Sequence, residues 1–131
     1  MIEELRKLLG NSYAKYSNYR VSAILVTKDL KKYKGVNIEN ASYGATVCAE
    51  RSAIFSAISN GEHDFKELNI MVDHELIAPP CYLCRQVLSE LCSPEMDVNC
   101  YNKNGDKKTY KIKELCVLPF NGDNLVWEVD L

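Results

Sequence analysis

The stretch TVCAERSAIFSAISNGEHDFKELNIMVDHELIAPPCYLCRQVLSEL, residues 46–91, decides the reading of the fold. Its first part, 46–59, has apolar Val47, Ile54, Phe55 and Ile58 on one broad helical face. Asn60-Gly61 follows as a helix stop, since glycine readily takes the backbone conformations that end a helix. Residues 68–72 form a short apolar run, which reads as a buried strand. Pro79-Pro80 then opens a second helix over 81–91, because proline is tolerated in a first turn. Working outward, 21–27 is apolar and rich in β-branched residues and 32–38 is a returning strand, with polar 28–32 between them. Residues 96–101 and 108–112 flank Asn104-Gly105, a strong hairpin signal. Ile2, Leu5, Leu8 and Leu9 start an N-terminal helix, expected to run to about residue 16. The order is helix, two strands, helix, strand, helix, two strands. Such alternation predicts an α/β sheet covered by helices, and the β-α-β-α-β stretch in the middle of the chain predicts that part of the sheet is parallel.

The chain has 131 residues, the length of a single domain over 1–131. Hydrophobic residues make up 47% and charged residues 26%, the balance of a globular protein. With 16 basic against 18 acidic residues the net charge is −2. No basic excess favours nucleic acid as a partner, although a small nucleobase compound needs only a pocket. No apolar run approaches the ~20 residues of a membrane span. Residues 1–10 mix acids with apolar groups, unlike a secretory leader. The expectation is a cytoplasmic protein whose six cysteines are thiols or metal ligands rather than disulfides.

The chemistry concentrates in Cys48-Ala49-Glu50 and Pro80-Cys81-Tyr82-Leu83-Cys84. A Cys-x-x-Cys at a helix start can present both sulfurs to one ion, and the helix N-terminus favours thiolates. Cys48 is expected at a second helix start. Three thiolates leave one position of a tetrahedral zinc open, the mark of a catalytic site. Zinc there would lower the pKa of water toward neutrality. Arg51, three residues from Cys48, is placed to donate hydrogen bonds to the sulfurs and offset their charge. Glu50 is a carboxylate beside the metal without being a ligand, the arrangement that zinc deaminases use for proton transfer. Taken singly, each feature has a plainer reading: a structural half-site or redox pair, a buried cysteine, a solvated acid. A non-catalytic zinc module predicts a fourth protein ligand, and neither His63 nor His74 has ligand spacing. A Cys81/Cys84 redox pair has no use for Cys48-Ala49-Glu50. Cys92, Cys100 and Cys116 lack chelating spacing and read as small buried residues.

Four blocks carry a family likeness: Tyr16-Ser17-Asn18-Tyr19-Arg20-Val21, Asn37-Ile38-Glu39-Asn40-Ala41-Ser42-Tyr43-Gly44, Cys48-Ala49-Glu50-Arg51-Ser52-Ala53-Ile54, and Pro80-Cys81-Tyr82-Leu83-Cys84-Arg85-Gln86-Val87-Leu88. The chain resembles, over almost its whole length, the short zinc-dependent cytidine deaminases that assemble as homotetramers. The resemblance implies a three-layer α-β-α sandwich with a mixed five-stranded sheet. It implies one Zn2+ per chain on Cys48, Cys81 and Cys84, and Glu50 as the proton carrier. It implies hydrolytic deamination of cytidine and deoxycytidine in pyrimidine salvage. Asn37 and Glu39 would hydrogen-bond the ribose 3′-hydroxyl. Tyr19 would stand beside the base with Ala49 also at the substrate, and Arg51 would hold the thiolates. Ala41 and Tyr43 would reach a neighbouring subunit's site.

The chain departs from the family pattern at three places. Tyr82 stands where glycine is usual, so a bulky side chain there would shift the loop or narrow the pocket. Ser22 replaces another glycine. In Val117-Leu118-Pro119-Phe120-Asn121-Gly122 no phenylalanine falls at the usual spacing for a lid over a neighbour's substrate, leaving Phe120 or Trp127 as substitutes. The nearest alternative substrate is another cytosine nucleoside such as blasticidin S, whose deaminases share the zinc motifs and a Trp-Glu like Trp127-Glu128.

Overall fold

The computed structural model describes residues 1–125. Its elements in chain order are α1 (Ile2–Leu9), β1 (Val21–Thr27), β2 (Lys32–Val36), a 3-10 turn (Tyr43–Ala45), α2 (Ala49–Ser59), β3 (Phe65–Val72), α3 (Tyr82–Leu91), β4 (Asp97–Tyr101), β5 (Lys107–Lys111) and α4 (Ile112–Leu115). A second 3-10 turn, Gly122–Leu125, follows. The strands form one sheet in the order β2-β1-β3-β4-β5. Only β3 and β4 are parallel; the other pairs are antiparallel. The parallel pair is the one joined through α3, as a crossover helix requires.

Strand alternation separates two cores. Ala23 and Leu25 of β1, with Leu68, Ile70, Val98 and Cys100, face α2, α3 and α4. Ile24 and Val26, with Met71 and Tyr101, face Leu5 and Leu9 of α1. The result is the expected three-layer sandwich with a mixed five-stranded sheet. On the α1 face a buried amide row crosses β3 to β5. Asn69 donates to the Ile24 carbonyl at 3.3 Å, Asn99 donates to Asn69 Oδ1 at 2.9 Å, and Thr109 donates to Asn99 Oδ1 at 2.7 Å.

Strand β3 starts at Phe65, three residues before the expected 68, and three further boundaries differ from the sequence expectation for one reason. Helix α1 stops at Leu9 rather than near residue 16, and α2 starts at Ala49 rather than 46. Both displaced segments pair with the strip 37–39. Tyr13 donates to the Asn37 carbonyl at 3.0 Å and accepts from the Glu39 amide at 2.9 Å. On its other edge Ile38 exchanges hydrogen bonds with Val47 at 2.9 and 3.0 Å. Residues drawn into these bridges are extended and cannot be helical. Strand β2 correspondingly ends at Val36, before this strip.

The face by which α2 packs also differs. Phe55 is exposed, and the buried stripe is Ala49, Ala53, Ile54 and Ala57. Small residues four apart let the helix backbone settle onto β2. At Gly35 a Cβ would stand 2.4 Å from the Ala53 amide nitrogen and 2.5 Å from the Ala49 carbonyl. That close approach fixes the helix whose first turn carries the site.

Candidate active site

Two helix N-termini converge on one spot. Cys48 is the N-cap of α2 and Cys81 the N-cap of α3, both with extended backbone (φ −73°, ψ 156° and φ −66°, ψ 167°). Cys84 lies in the first turn of α3 and is buried. The three sulfurs lie within 4.8 Å of one another, with Cys48 Sγ and Cys81 Sγ 3.7 Å apart. The positive ends of both helix dipoles act on these sulfurs and favour thiolates. Among the described residues no His, Asp, Glu or further Cys joins the cluster.

The donor set fits a zinc ion. Three sulfurs supply three of the four positions of a tetrahedral site, the arrangement of a centre that keeps one position for a reactant. Arg51 Nη2 lies 3.5 Å from Cys48 Sγ and also donates to the Thr46 carbonyl at 3.4 Å. Its buried Nε has no hydrogen-bond partner among the described residues. A guanidinium so placed is suited to a concentration of negative charge, which three metal-bound thiolates provide. Even without an ion the cluster is polarised. Donation from Cys84, supported by Arg51, holds Cys48 well below the ordinary thiol range, while Cys84 is pushed up.

Glu50 follows Cys48 by two residues in the first turn of α2 and is only 5% exposed. Burial pushes its carboxyl up to about 7, and the neighbouring Cys48 charge adds to the rise. A carboxyl with that value both takes and returns a proton near neutrality. It lines a cavity of about 250 Å³ together with Tyr19, Asn37, Glu39, Thr46, Cys48, Ala49 and Cys81; Val21, Ile70, Val72, Ala78 and Pro79 complete the wall. Burial, then the Glu50 charge, raises the Tyr19 phenol, so its ring stands neutral in the wall.

Asn37 and Glu39 line this cavity but already work within the chain. Asn37 Oδ1 accepts from the Val21 amide at 3.0 Å and from the Ser12 hydroxyl, and Nδ2 donates to the Tyr19 carbonyl at 2.7 Å. Glu39 accepts from the Tyr16 and Ser17 amides, both at 3.0 Å, and from the Ser17 hydroxyl. The hydroxyl and the amides together hold the Glu39 carboxyl below its usual range. The two side chains thus shape the loop that presents Tyr19.

The remaining expected residues fall elsewhere. Ala41 and Tyr43 are exposed, Tyr43 at 81%. Tyr43 borders an adjoining outer cavity that shares Glu39 and Thr46 with the inner one. Phe120 is half-exposed and lines a separate groove along α3, beside Tyr82, Arg85 and Gln86. Trp127 lies outside the described residues. Tyr82, expected to shift the loop or narrow the pocket, points into that groove, with its ring 4.4 Å from the Arg85 guanidinium, and does not line the inner cavity. Cys92 and Cys100 are buried thiols that burial pushes up to about 12, as expected of small core residues. Cys116 differs: it is only half-buried, and its Sγ donates to the Arg85 carbonyl at 3.3 Å. Thr46 and Pro79 in the wall had no distinguishing signal in the sequence; both enter through loop paths.

A sheet flanked by helices, with cysteines at two helix N-termini and a buried carboxyl between them and a cavity, defines a class: a zinc-thiolate site equipped for proton transfer. The sequence profile of the cytidine and deoxycytidylate deaminase zinc-binding region matches residues 1–100. The cytidine deaminase of Halalkalibacterium halodurans is 38% identical over 125 residues, covering 95% of each chain. That of Sporosarcina psychrophila is 37% identical over 130 residues, covering 99% of this chain and 96% of its own. The crystal structure of cytidine deaminase from Burkholderia pseudomallei superposes with a TM-score of 0.87 at 39% identity, covering 91% of this chain and 95% of the other. The chain therefore belongs to the zinc-dependent cytidine and deoxycytidylate deaminase family.

Proposed function

We propose that this protein deaminates free cytidine and deoxycytidine by hydrolysis, giving uridine or deoxyuridine and ammonia. The observation that carries the reading is the buried Glu50 carboxyl beside three convergent cysteine sulfurs at the wall of a nucleobase-sized cavity. Cys48, Cys81 and Cys84 hold one zinc ion in this reading, and the bound ion supplies the acidity that makes water a competent nucleophile near neutral pH. Glu50 takes a proton from the attacking water as oxygen adds to C4 of the pyrimidine. It delivers that proton to N3, then takes the remaining proton of the added hydroxyl and passes it to the amino nitrogen as the C4–N bond breaks, leaving the C4 carbonyl and ammonia. Arg51 steadies the Cys48 sulfur. Tyr19 and Ala49 flank the base, and Asn37 and Glu39 use their remaining hydrogen-bonding capacity on the ribose 3′-hydroxyl.

Glu39 at the cavity wall supports free nucleosides over nucleotides, since a carboxylate there repels a phosphate. Tyr82 packs outside the inner cavity and does not narrow it, while the Trp127-Glu128 likeness to blasticidin S deaminases lies outside the described residues. The family likeness and the exposed Ala41 and Tyr43 support a homotetramer with residues shared between sites, acting in the cytoplasm. Incubating the zinc-loaded protein with cytidine, deoxycytidine, cytidine monophosphate and blasticidin S, and measuring ammonia, tests the substrate assignment. Release with the two nucleosides alone is expected. Turnover of blasticidin S or the nucleotide alone would overturn it.

A further inference from the structure

Of the three cysteines in the cluster, Cys81 is the exposed one. As the N-cap of α3 its sulfur is positioned by the peptides on either side of it. The peptide after it is held by the first backbone bond of the helix, the Arg85 amide donating to the Cys81 carbonyl at 2.9 Å, which any residue at that position makes. The peptide before it is held by a side chain: Arg85 Nε donates to the carbonyl of buried Pro80 at 2.8 Å. Because a peptide is planar, fixing the Pro80 oxygen also fixes the direction in which the chain enters Cys81.

Arg85 is itself anchored from the far side. Its Nη1 donates to the Leu115 carbonyl at the end of α4 at 3.3 Å, its guanidinium lies 4.4 Å from the Tyr82 ring, and its own carbonyl accepts from Cys116 Sγ at 3.3 Å. A planar guanidinium spans two separated carbonyls with different nitrogens while its face meets an aromatic ring, a reach that the single nitrogen of an ammonium lacks. Tyr82 therefore has a use in this chain: it backs the guanidinium that braces the turn.

We infer that Arg85 is a positioning residue for the zinc ligand Cys81, bracing it against the end of α4. The inference rests on the reading that Cys48, Cys81 and Cys84 hold zinc. A plainer role, stapling α3 to α4, predicts a loss of thermal stability and nothing at the metal.

The test measures zinc release to a chromophoric chelator well below the melting temperature, and the thiolate-to-metal absorption of the cobalt-substituted protein. Arg85→Ala is expected to speed zinc release by about 10- to 100-fold, the usual scale for removing a residue that supports a ligand, and to shift the cobalt bands. Arg85→Lys, which keeps the charge and is the variant to read if the alanine variant fails to fold, is expected to fall between wild type and Arg85→Ala. Gln86→Ala cuts a neighbouring contact of α3, the 2.9 Å bond to the Phe120 carbonyl, and is expected to release zinc at the wild-type rate. Wild-type release and bands in both Arg85 variants, with only the melting temperature lowered, would overturn the inference. A wild-type protein that binds neither zinc nor cobalt would instead overturn the zinc reading beneath it.

Discussion

Two effects act on Glu50 in the same direction. Its place in the first turn of α2 buries it, which disfavours its charge, and puts it beside the Cys48 charge, which disfavours it further. Burial first, then Cys48, brings the carboxyl to about 7. Glu50→Gln keeps the shape and removes the proton carrier. Turnover should fall by about 10²- to 10⁴-fold, the contribution of a positioned acid–base group, with zinc content by elemental analysis unchanged. Glu39 gives a different signature because it both shapes a loop and faces the cavity. Glu39→Gln should lower kcat/KM on cytidine by about 10- to 100-fold, as expected for losing a hydrogen bond to a charged group. Its depressed pKa adds a pH dependence. A carboxyl whose folded pKa lies below its unfolded one stabilises the fold above the unfolded value, and that support is lost as pH falls through the folded value. Hydrogen-exchange protection of the Tyr16 and Ser17 amides should therefore drop on acidification below the ordinary carboxylate range. In Glu39→Gln the protection should be independent of pH.

Two elements set the site from a distance. Helix α2 sits on β2 through its alanine stripe and Gly35, so Gly35→Ala places a methyl into the backbone at Ala49 and Ala53. Overpacking of this kind costs about 1–3 kcal/mol, a fall in melting temperature on the order of 5–10 °C. Because α2 carries Cys48 and Glu50, turnover should fall with it even at temperatures where the protein is folded. The amide row on the opposite sheet face makes the contrasting case. Asn99→Ala leaves the Asn69 carbonyl oxygen and the Thr109 hydroxyl without their partner, at a cost of about 1–3 kcal/mol. That row does not touch the cavity, so denaturant unfolding should register the loss while kcat and KM on cytidine stay at wild-type values.

Over the whole molecule, what the sequence revealed was local. Cys48, Glu50, Cys81 and Cys84 are separated by two or three residues within each motif, and such spacing survives into three dimensions because it lies on one helix turn. That part of the sheet is parallel was legible from the helices between strands, but not that the pair is β3–β4, since β1 separates β2 from β3 across α2. The truncation of α1 and the late start of α2 were not, since both follow from pairing of Tyr13 and Val47 with Ile38, across gaps that no local pattern encodes. The bracing of Cys81 by Arg85 needs Leu115, thirty residues away, and was equally hidden. Phe120 lines the groove along α3; the lid expected of it concerns a neighbouring subunit's site and not this chain's own cavity. The proposed assembly is testable at this scale. If neighbouring subunits complete each site, serial dilution followed by light scattering and assay should show activity disappearing as the tetramer dissociates, and a fully active monomer would remove Ala41 and Tyr43 from the site.

The proposed chemistry depends on a division of labour between the cysteines, which hold zinc, and Glu50, which carries protons. The measurement that tests it is loss of cytidine absorbance, run with zinc content determined on the same samples of wild type, Glu50→Gln and Cys81→Ala. The prediction is turnover with one zinc per chain in wild type, retained zinc with turnover nearly abolished in Glu50→Gln, and loss of both in Cys81→Ala. Undiminished turnover in Glu50→Gln, or full zinc and turnover in Cys81→Ala, would contradict it.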